Sequence, residues 1–139
     1  MLRSVKARDY MTKNLVTFKP ETDVYIAVDY LLAHKISGAP VVDGAGALVG
    51  IFSESDCLRS SIQSTYHEGQ GGGAVQDYMT KNVDVVDPEA DIISIAELFI
   101  TKKRRRLPVV ERGRLVGQIS RRDILRAMKD FSTNREYVL

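Results

Sequence analysis

An internal duplication constrains this chain more than any other feature of its sequence. The hexapeptide Asp-Tyr-Met-Thr-Lys-Asn occupies residues 9–14 and occurs again, letter for letter, at residues 77–82. An offset of 68 residues, reduced to 67 after one residue is lost in the second copy's turn, aligns the rest of the two copies. The alignment pairs identical residues, among them Pro40 with Pro108, Ser53 with Ser120, and Asp56 with Asp123. Repetition at this period predicts two copies of one supersecondary unit.

The duplication divides the chain into four predicted parts. A first repeat with its N-terminal segment takes residues 1–65, a glycine-rich linker residues 66–75, a second repeat residues 76–131, and a C-terminal tail residues 132–139. The glycines at 71–73 favour a flexible connector. No Lys-Ser or Lys-Thr pair follows them, so the run lacks the pattern of a phosphate-binding loop.

Bulk composition excludes several classes of protein. The net charge of +2 is too small to indicate a nucleic-acid binder by itself. The longest apolar segment, residues 92–100, is interrupted by polar side chains and is far shorter than the ~20 residues that span a bilayer. The N-terminal residues 1–9 carry positive charge without an apolar stretch behind them, unlike a secretory signal. With Cys57 as the single cysteine, we expect a soluble, cytoplasmic protein without internal disulfides.

Each copy is predicted to be a β-α-β-β-α unit, so that the chain belongs to the α/β (α+β) class. Apolar residues recur at helical spacing after a Pro-Glu pair, with Thr22 or Asp23 as the candidate N-cap. A glycine-rich turn between two β-rich runs indicates a hairpin, and the second copy turns more tightly. The predicted elements are first strands at 15–18 and 83–86, a hairpin from 39–42 and 48–52, and last helices at 54–64 and 121–131.

These repeats resemble CBS domains. The matching features are the Asp-x-Met-Thr leader, the Pro-Val-Val strand, and a Gly-x-x-Ser-x-x-Asp segment at residues 50–56 and 117–123, where Gln118 replaces a usually apolar residue. The resemblance covers residues 5–131. It implies a pair with pseudo-twofold symmetry whose clefts, in relatives, often hold AMP, ADP, ATP or S-adenosylmethionine. It further implies a non-enzymatic regulatory role, a homodimer, and a regulated protein that the sequence does not identify.

Ser120 and Asp123 admit two interpretations. Serine at an N-cap followed three residues later by a carboxylate is a helix-capping pattern, and the helix dipole favours a negative charge there. A carboxylate can also accept two hydrogen bonds from vicinal hydroxyls such as those of ribose, and the N–H groups of a helix start suit a phosphate. The resemblance assigns the nucleotide-binding roles to Ser120 and Asp123 and, by repeat symmetry, to Ser53 and Asp56.

A run of five cations at residues 102–106 is the second candidate for ligand binding. Cations at a helix C-terminus are stabilising, so a solvated helix end is one interpretation. Five adjacent cations also repel each other, which favours an anionic partner, and the guanidinium group matches phosphate geometry. The resemblance implies that Arg105 and Arg106 face the nucleotide, and Arg122 is placed to join them.

The resemblance implies two unequal clefts that each combine residues of both copies. The better-equipped cleft is predicted to contain Val16, Ile36, Ser37, Gly38, Arg105, Arg106, Ser120, Arg122 and Asp123. In it, backbone groups of Val16 and Ile36 would hold the adenine edge. The reciprocal cleft, around Ser53 and Asp56, lacks the arginine pair and has Asp84 at the position of Val16. We therefore predict tighter nucleotide binding at Asp123.

Other functions remain as alternatives. A CBS-like pair can be a protein-interaction module without ligand, and the basic run at 102–106 can contact nucleic acid, although no aromatic platform accompanies it. An enzyme is disfavoured because no nucleophile–base pair is recognisable. His34 and His67 lack neighbours at metal-ligand spacing, so no metal is expected. Cys57 aligns with Ile124, which predicts a packing role for the thiol.

Overall fold

The structure, a computed structural model, describes residues 2–66 and 73–132, with no account of the side chains of residues 64–66. Most of the predicted linker, residues 67–72, and the tail from residue 133 onward lie outside the described residues. The structure has four β-strands and five α-helices in these ranges, together with short 3-10 turns at Leu2–Ser4 and Val75–Asp77. They are α1 Ala7–Tyr10, α2 Val24–His34, β1 Gly38–Val42, β2 Leu48–Ser53, α3 Glu54–Tyr66, α4 Ile92–Lys102, β3 Arg106–Glu111, β4 Arg114–Ser120 and α5 Arg121–Asp130.

The chain divides into two compact units. The Asp123 unit comprises the described parts of Met1–Asn14, Asp84–Arg112 and Val116–Leu139. The Asp56 unit comprises Leu15–Val83 and Gly113–Leu115, again as far as they are described. Each unit therefore combines most of one repeat with the leader segment of the other.

The Asp56 unit is built on the antiparallel pair β1–β2, with Gly38 opposite Ser53 and an irregularity between Val41 and Val42. Phe18 adds a single parallel bridge to Val41, in which its N–H lies 2.9 Å from the Pro40 carbonyl oxygen. The predicted strand at 15–18 is thus wrong as a regular strand. The chain turns directly after Phe18, because Lys19 and Thr22 close a hydrogen-bonded turn that ends the pairing.

The Asp123 unit repeats this plan with the antiparallel pair β3–β4. Val86 forms a single parallel bridge to Val109, so the predicted strand at 83–86 is likewise reduced to one paired residue. Here a turn closed by the Ala90 N–H and the Asp87 carbonyl oxygen follows at once. The opposite edge pairs with Thr12 of the first leader, whose N–H lies 2.8 Å from the Gln118 carbonyl oxygen.

The helix boundaries follow from local capping. Asp23, one of the two candidates, is the N-cap of α2 and accepts hydrogen bonds from the N–H groups of Tyr25 and Ile26. Asp91 caps α4 in the same way by accepting from the Ser94 N–H at 2.9 Å. Both helices end at a lysine in the left-handed conformation, Lys35 and Lys103, where glycine is the usual residue.

The hairpin turns confirm the predicted difference between the copies. Arg112 and Gly113 both have positive φ, the signature of a two-residue type I′ turn between β3 and β4. The first copy turns over a longer loop, in which the Asp43 carboxylate accepts from the N–H groups of Ala45 and Ala47. Loop length is thus set by turn chemistry that is readable in the sequence.

Each unit has its own apolar core, and each core includes residues that directly precede the Asp-x-Met-Thr leader of the other repeat. Val5 and Ala7 pack with Ile92, Ile95 and other residues of the second repeat in the Asp123 unit. Val75 belongs to the core of the Asp56 unit, and Cys57 packs against that core, which confirms its predicted packing role. No helix within residues 2–66 and 73–132 combines the length and apolarity that crossing a membrane requires.

Candidate functional site

Ser120 and Asp123 form a reciprocal cap at the start of α5. The Asp123 Oδ2 accepts from the Ser120 N–H at 2.7 Å and from the Ser120 hydroxyl at 3.1 Å, while the Ser120 Oγ accepts from the Asp123 N–H at 3.3 Å. The predicted capping geometry is therefore present. Asp123 is buried, and a buried carboxyl group is retained only where its oxygens find hydrogen-bond donors.

Ser53 and Asp56 reproduce this arrangement at the start of α3. The Asp56 Oδ2 accepts from the Ser53 N–H at 2.8 Å and from its hydroxyl at 3.0 Å. The two carboxylates differ in burial, because the side chain of Asp56 is 1% exposed and that of Asp123 is 9% exposed. Asp123 is thus the more accessible of two chemically equivalent groups.

An arginine one helical turn later holds the second oxygen of each carboxylate, and the sequence-based site did not include it. Arg126 donates to the Asp123 Oδ1 and to the Tyr10 carbonyl oxygen, and Arg59 donates to the Asp56 Oδ1 and to the Tyr78 carbonyl oxygen. The signal was present in the sequence, because both copies contain Asp-x-x-Arg, and residues three apart share a helix face.

The arginine of the Asp123 unit belongs to a larger polar network. The Tyr10 hydroxyl donates to the Asp130 Oδ2 at 2.6 Å, and the Arg126 guanidinium lies 5.7 Å from the centre of the Tyr10 ring. Donating this hydrogen bond to Asp130 raises the pKa of Tyr10 above its ordinary value. The hydrogen bond to Asp123 raises the pKa of Arg126, which therefore stays charged at every accessible pH.

The basic run is brought beside the start of α5. The Arg121 N–H donates to the Arg105 carbonyl oxygen at 3.2 Å, which joins the residue before β3 to the first residue of the helix. Arg104 does not contribute an unpaired cation, because its Nε and Nη2 both lie 3.1 Å from the Asp84 Oδ2. The charge of Asp84, expected to weaken the reciprocal cleft, is thus compensated by an arginine that the sequence did not assign to it.

The remaining predicted site residues lie in the Asp56 unit. Ser37 and Gly38 are beside Ser53, because the Glu54 N–H donates to the Ser37 carbonyl oxygen at 2.9 Å and Gly38 is opposite Ser53 in the sheet. Val16 and Ile36 are partly buried against the core of that unit. The structure thus groups Ser37, Gly38, Ser53 and Asp56 in one unit with Val16 and Ile36. It groups Arg105, Arg106, Ser120, Arg122 and Asp123 in the other.

The described residues offer no obvious metal site. Within residues 2–66 and 73–132, no three His, Cys, Asp or Glu side chains cluster closely enough to hold an ion. His34 stacks on the Tyr30 ring at 5.7 Å, and its Nδ1 lies 2.9 Å from the Tyr30 carbonyl oxygen. His67 lies outside the described residues.

Known proteins match this chain over most of its length. A solved structure of CBSX2 from Arabidopsis thaliana in complex with AMP is 32% identical, has a TM-score of 0.80, and matches 92% of this chain and 98% of its own. The CBS domain pair of protein MJ0100, in complex with 5′-methylthioadenosine and S-adenosyl-L-methionine, is 25% identical with a TM-score of 0.73 and matches 89% of this chain and 99% of its own.

Longer proteins contain a similar region. A zinc metalloprotease of Methanocaldococcus jannaschii is 35% identical over 136 residues, which is 98% of this chain but 36% of the protease. The chain spans less than two thirds of the length of this and comparable curated relatives. A family model for the CBS domain matches residues 7–62 and again residues 75–130, together more than half of the chain. The chain therefore belongs to the CBS domain family, with two copies of the domain in tandem.

Proposed function

We propose that this chain is a regulatory module that binds an adenine nucleotide or a related adenosyl compound, with Asp123 as the acceptor for the ribose hydroxyls. The observation that carries the proposal is the Asp123 carboxylate itself. It is buried and fixed by Ser120 and Arg126 at the start of α5. CBSX2, which shares the fold and 32% of the sequence, was solved with AMP.

The acceptor capacity of Asp123 is consistent with a sugar ligand. A carboxylate has about four acceptor positions. The Ser120 N–H and hydroxyl occupy two of them at Oδ2, and Arg126 occupies one at Oδ1. At least one position on Oδ1 therefore stays available to a hydroxyl donor.

The phosphate end of the nucleotide is assigned to the arginines of the same unit. Arg105 is linked through its backbone to Arg121, and Arg122 follows one residue later on α5. Guanidinium groups bind phosphate oxygens through charge-assisted hydrogen bonds. The adenine-binding roles of Val16, Ile36, Ser37 and Gly38 stay predictions from the resemblance. The Ser53–Asp56 pair is proposed as a second, weaker site.

Titration calorimetry with AMP tests the proposal on three proteins: the wild-type chain, Asp123→Asn and Asp56→Asn. The amide keeps the size of the carboxylate but removes one acceptor oxygen. We expect Asp123→Asn to weaken binding at least about tenfold, as loss of a hydrogen bond to a charged group implies. Asp56→Asn should leave the tighter site unchanged.

Thermal unfolding of both variants serves as the control for folding, because each aspartate also caps a helix. The assignment is reversed if Asp56→Asn abolishes binding while Asp123→Asn has no effect. Should AMP, ADP, ATP and S-adenosylmethionine all fail to raise the melting temperature of the wild-type chain at millimolar concentration, the ligand-free interaction module would be the better account.

A homodimer is part of the proposal. Large apolar side chains are exposed at equivalent positions of the last helix of each copy, Leu58 at 65% and Leu125 at 60%, and a second copy of the chain would cover them. The regulated protein and the direction of regulation are left unspecified. Light scattering of Leu125→Glu tests the dimer: we expect a dimer for the wild-type chain and a monomer for the variant.

A further inference from the structure

The two units differ in charge at positions that the repeat makes equivalent. Residues 102–106 and 121–122 of the Asp123 unit are seven cations. Their counterparts, residues 34–38 and 54–55, contain one lysine and one glutamate, whose charges cancel, and one histidine. Because the Asp56 unit builds the same sheet, caps and helices without these cations, the fold does not require them.

Most of these cations lack a compensating side chain. Arg104 is paired with Asp84. Among the side chains that the structure describes, no partner is found for five exposed cations. They are Lys102, Lys103, Arg105, Arg121 and Arg122. The bond between the Arg121 N–H and the Arg105 carbonyl oxygen holds the two parts of this group together. We call these five residues the cationic patch.

The patch adjoins the carboxylate that is proposed to hold the ribose. Arg121 and Arg122 are the two residues between Ser120 and Asp123. A ligand whose ribose is bound by Asp123 therefore carries its phosphates into a region of uncompensated positive charge. Each added phosphate relieves repulsion among the cations and gains new charge-assisted contacts. A ligand with its own positive charge gains neither.

We infer that the Asp123 site selects adenine nucleotides with two or three phosphates over the monophosphate, and disfavours adenosyl ligands with a cationic sulfonium group. This inference rests on the proposed nucleotide site at Asp123. Exposed ion pairs stabilise a complex only modestly, so two or three of them predict a preference of about tenfold for ATP over AMP. The preference should shrink as salt screens the patch.

The test is titration calorimetry of the full chain with AMP, ADP, ATP, S-adenosylmethionine and inorganic tripolyphosphate, at about 0.05 M and about 0.3 M salt. We expect affinity to rise from AMP through ADP to ATP, with S-adenosylmethionine the weakest adenosyl ligand. Tripolyphosphate should bind more weakly than ATP because it lacks the ribose that Asp123 holds. Higher salt should weaken ATP binding more than AMP binding.

The first repeat shows which residues can replace two arginines of the cationic patch. The double variant Arg105→Ser with Arg122→Ser installs the residues found at the equivalent positions 37 and 55 of the first repeat. Both arginines are exposed, so we expect the variant to unfold at the wild-type temperature. It should weaken ATP binding much more than AMP binding, and so lose most of the preference for ATP. The control variant Ser55→Arg adds a charge to the other unit and should leave the preference unchanged.

The inference is overturned if wild-type chain binds AMP as tightly as ATP, if the double variant weakens both equally, or if tripolyphosphate binds as tightly as ATP. Those outcomes leave the proposed function standing as long as Asp123→Asn weakens AMP binding. If Asp123→Asn alters the affinity of none of the nucleotides, the proposed site is wrong and the inference falls with it.

Discussion

The sulfur of Met11 lies over Gly117, so that a β-carbon at residue 117 would come within 2.6 Å of the Met11 Sδ and 3.0 Å of the Thr12 carbonyl oxygen. Met79 has the same relationship to Gly50, where the distance from an added β-carbon to the Met79 Sδ would be 2.8 Å. The Asp-x-Met-Thr leader and the glycine that opens the Gly-x-x-Ser-x-x-Asp motif are therefore two sides of one contact, made each time between different repeats.

This contact predicts the effect of Gly117→Ala. The added methyl group would have to displace Met11 and the Thr12 backbone, and overpacking of this kind costs about 2 kcal/mol. We expect the free energy of unfolding in urea to fall by about that amount. Gly44→Ala is the matched control, because a β-carbon there meets nothing within 4 Å. Equal stability of Gly117→Ala and Gly44→Ala would show that Met11 does not restrict residue 117.

The left-handed lysine at the end of α2 predicts a stabilising substitution. Lys35 has φ of 53°, a conformation that costs a side-chain-bearing residue roughly 1 kcal/mol more than glycine. Lys35→Gly should raise the free energy of unfolding by about 0.5 to 1 kcal/mol. Ala33→Gly, two residues earlier and inside the helix, should lower it by about 1 kcal/mol. A loss of stability in Lys35→Gly would contradict the left-handed backbone conformation of Lys35 at the end of α2.

Asp91 predicts an acid-sensitive contribution to stability. Hydrogen bonds from the Ser94 N–H and hydroxyl hold the pKa of Asp91 below its usual value of 3.8. A carboxylate whose pKa is lowered by folding stabilises the protein above its unfolded pKa, and this contribution is lost as the pH falls through the folded pKa. The difference in stability between wild-type chain and Asp91→Asn should therefore be constant above about pH 5 and shrink below about pH 4.

Denaturant unfolding of both proteins between about pH 3 and pH 7 measures this difference directly. A difference that is the same at every pH would mean that the capping carboxylate contributes through packing alone. Asp91 caps α4, whereas Asp123 lies in α5, and the measurement uses no nucleotide.

Arg126 predicts a change in how the ribose is recognised. Because Arg126 occupies one acceptor position on the Asp123 Oδ1, the wild-type carboxylate has room for few further donors. Arg126→Gln should free that position and strengthen the hydrogen bonds that the ribose hydroxyls donate to Asp123. The ratio of Kd for 2′-deoxy-AMP to Kd for AMP should then rise by about tenfold.

Arg59→Gln provides the comparison for this experiment, since Arg59 has the same relationship to Asp56. Arg59→Gln should leave the ratio of Kd for 2′-deoxy-AMP to Kd for AMP unchanged at the tighter site. An unchanged ratio in Arg126→Gln would mean that Arg126 does not compete with the ribose for Asp123. Melting curves of the two variants report whether either arginine is needed for folding.

Much of the candidate site was predictable because its geometry is local. Ser120 and Asp123 are three residues apart, and a helix start brings such residues together whatever surrounds it. Arg126 was equally predictable from the Asp-x-x-Arg spacing, although the sequence-based site did not include it. The predicted first strands are wrong as regular strands, since each is reduced to a single bridge at Phe18 or Val86. A local turn after each of these residues outweighs the β-propensity of the preceding segment.

The sequence by itself determined the duplication, the family, a helix cap at Thr22 or Asp23, and the tighter hairpin turn of the second copy, because each depends on residues that are neighbours along the chain. Only the tertiary structure decided that Met11 covers Gly117 and that Asp84 pairs with Arg104. Because the two leaders have the same sequence, the sequence alone does not show which leader packs on which glycine. The choice between them is made by the cores, where Val5 and Ala7 are buried in one unit and Val75 in the other.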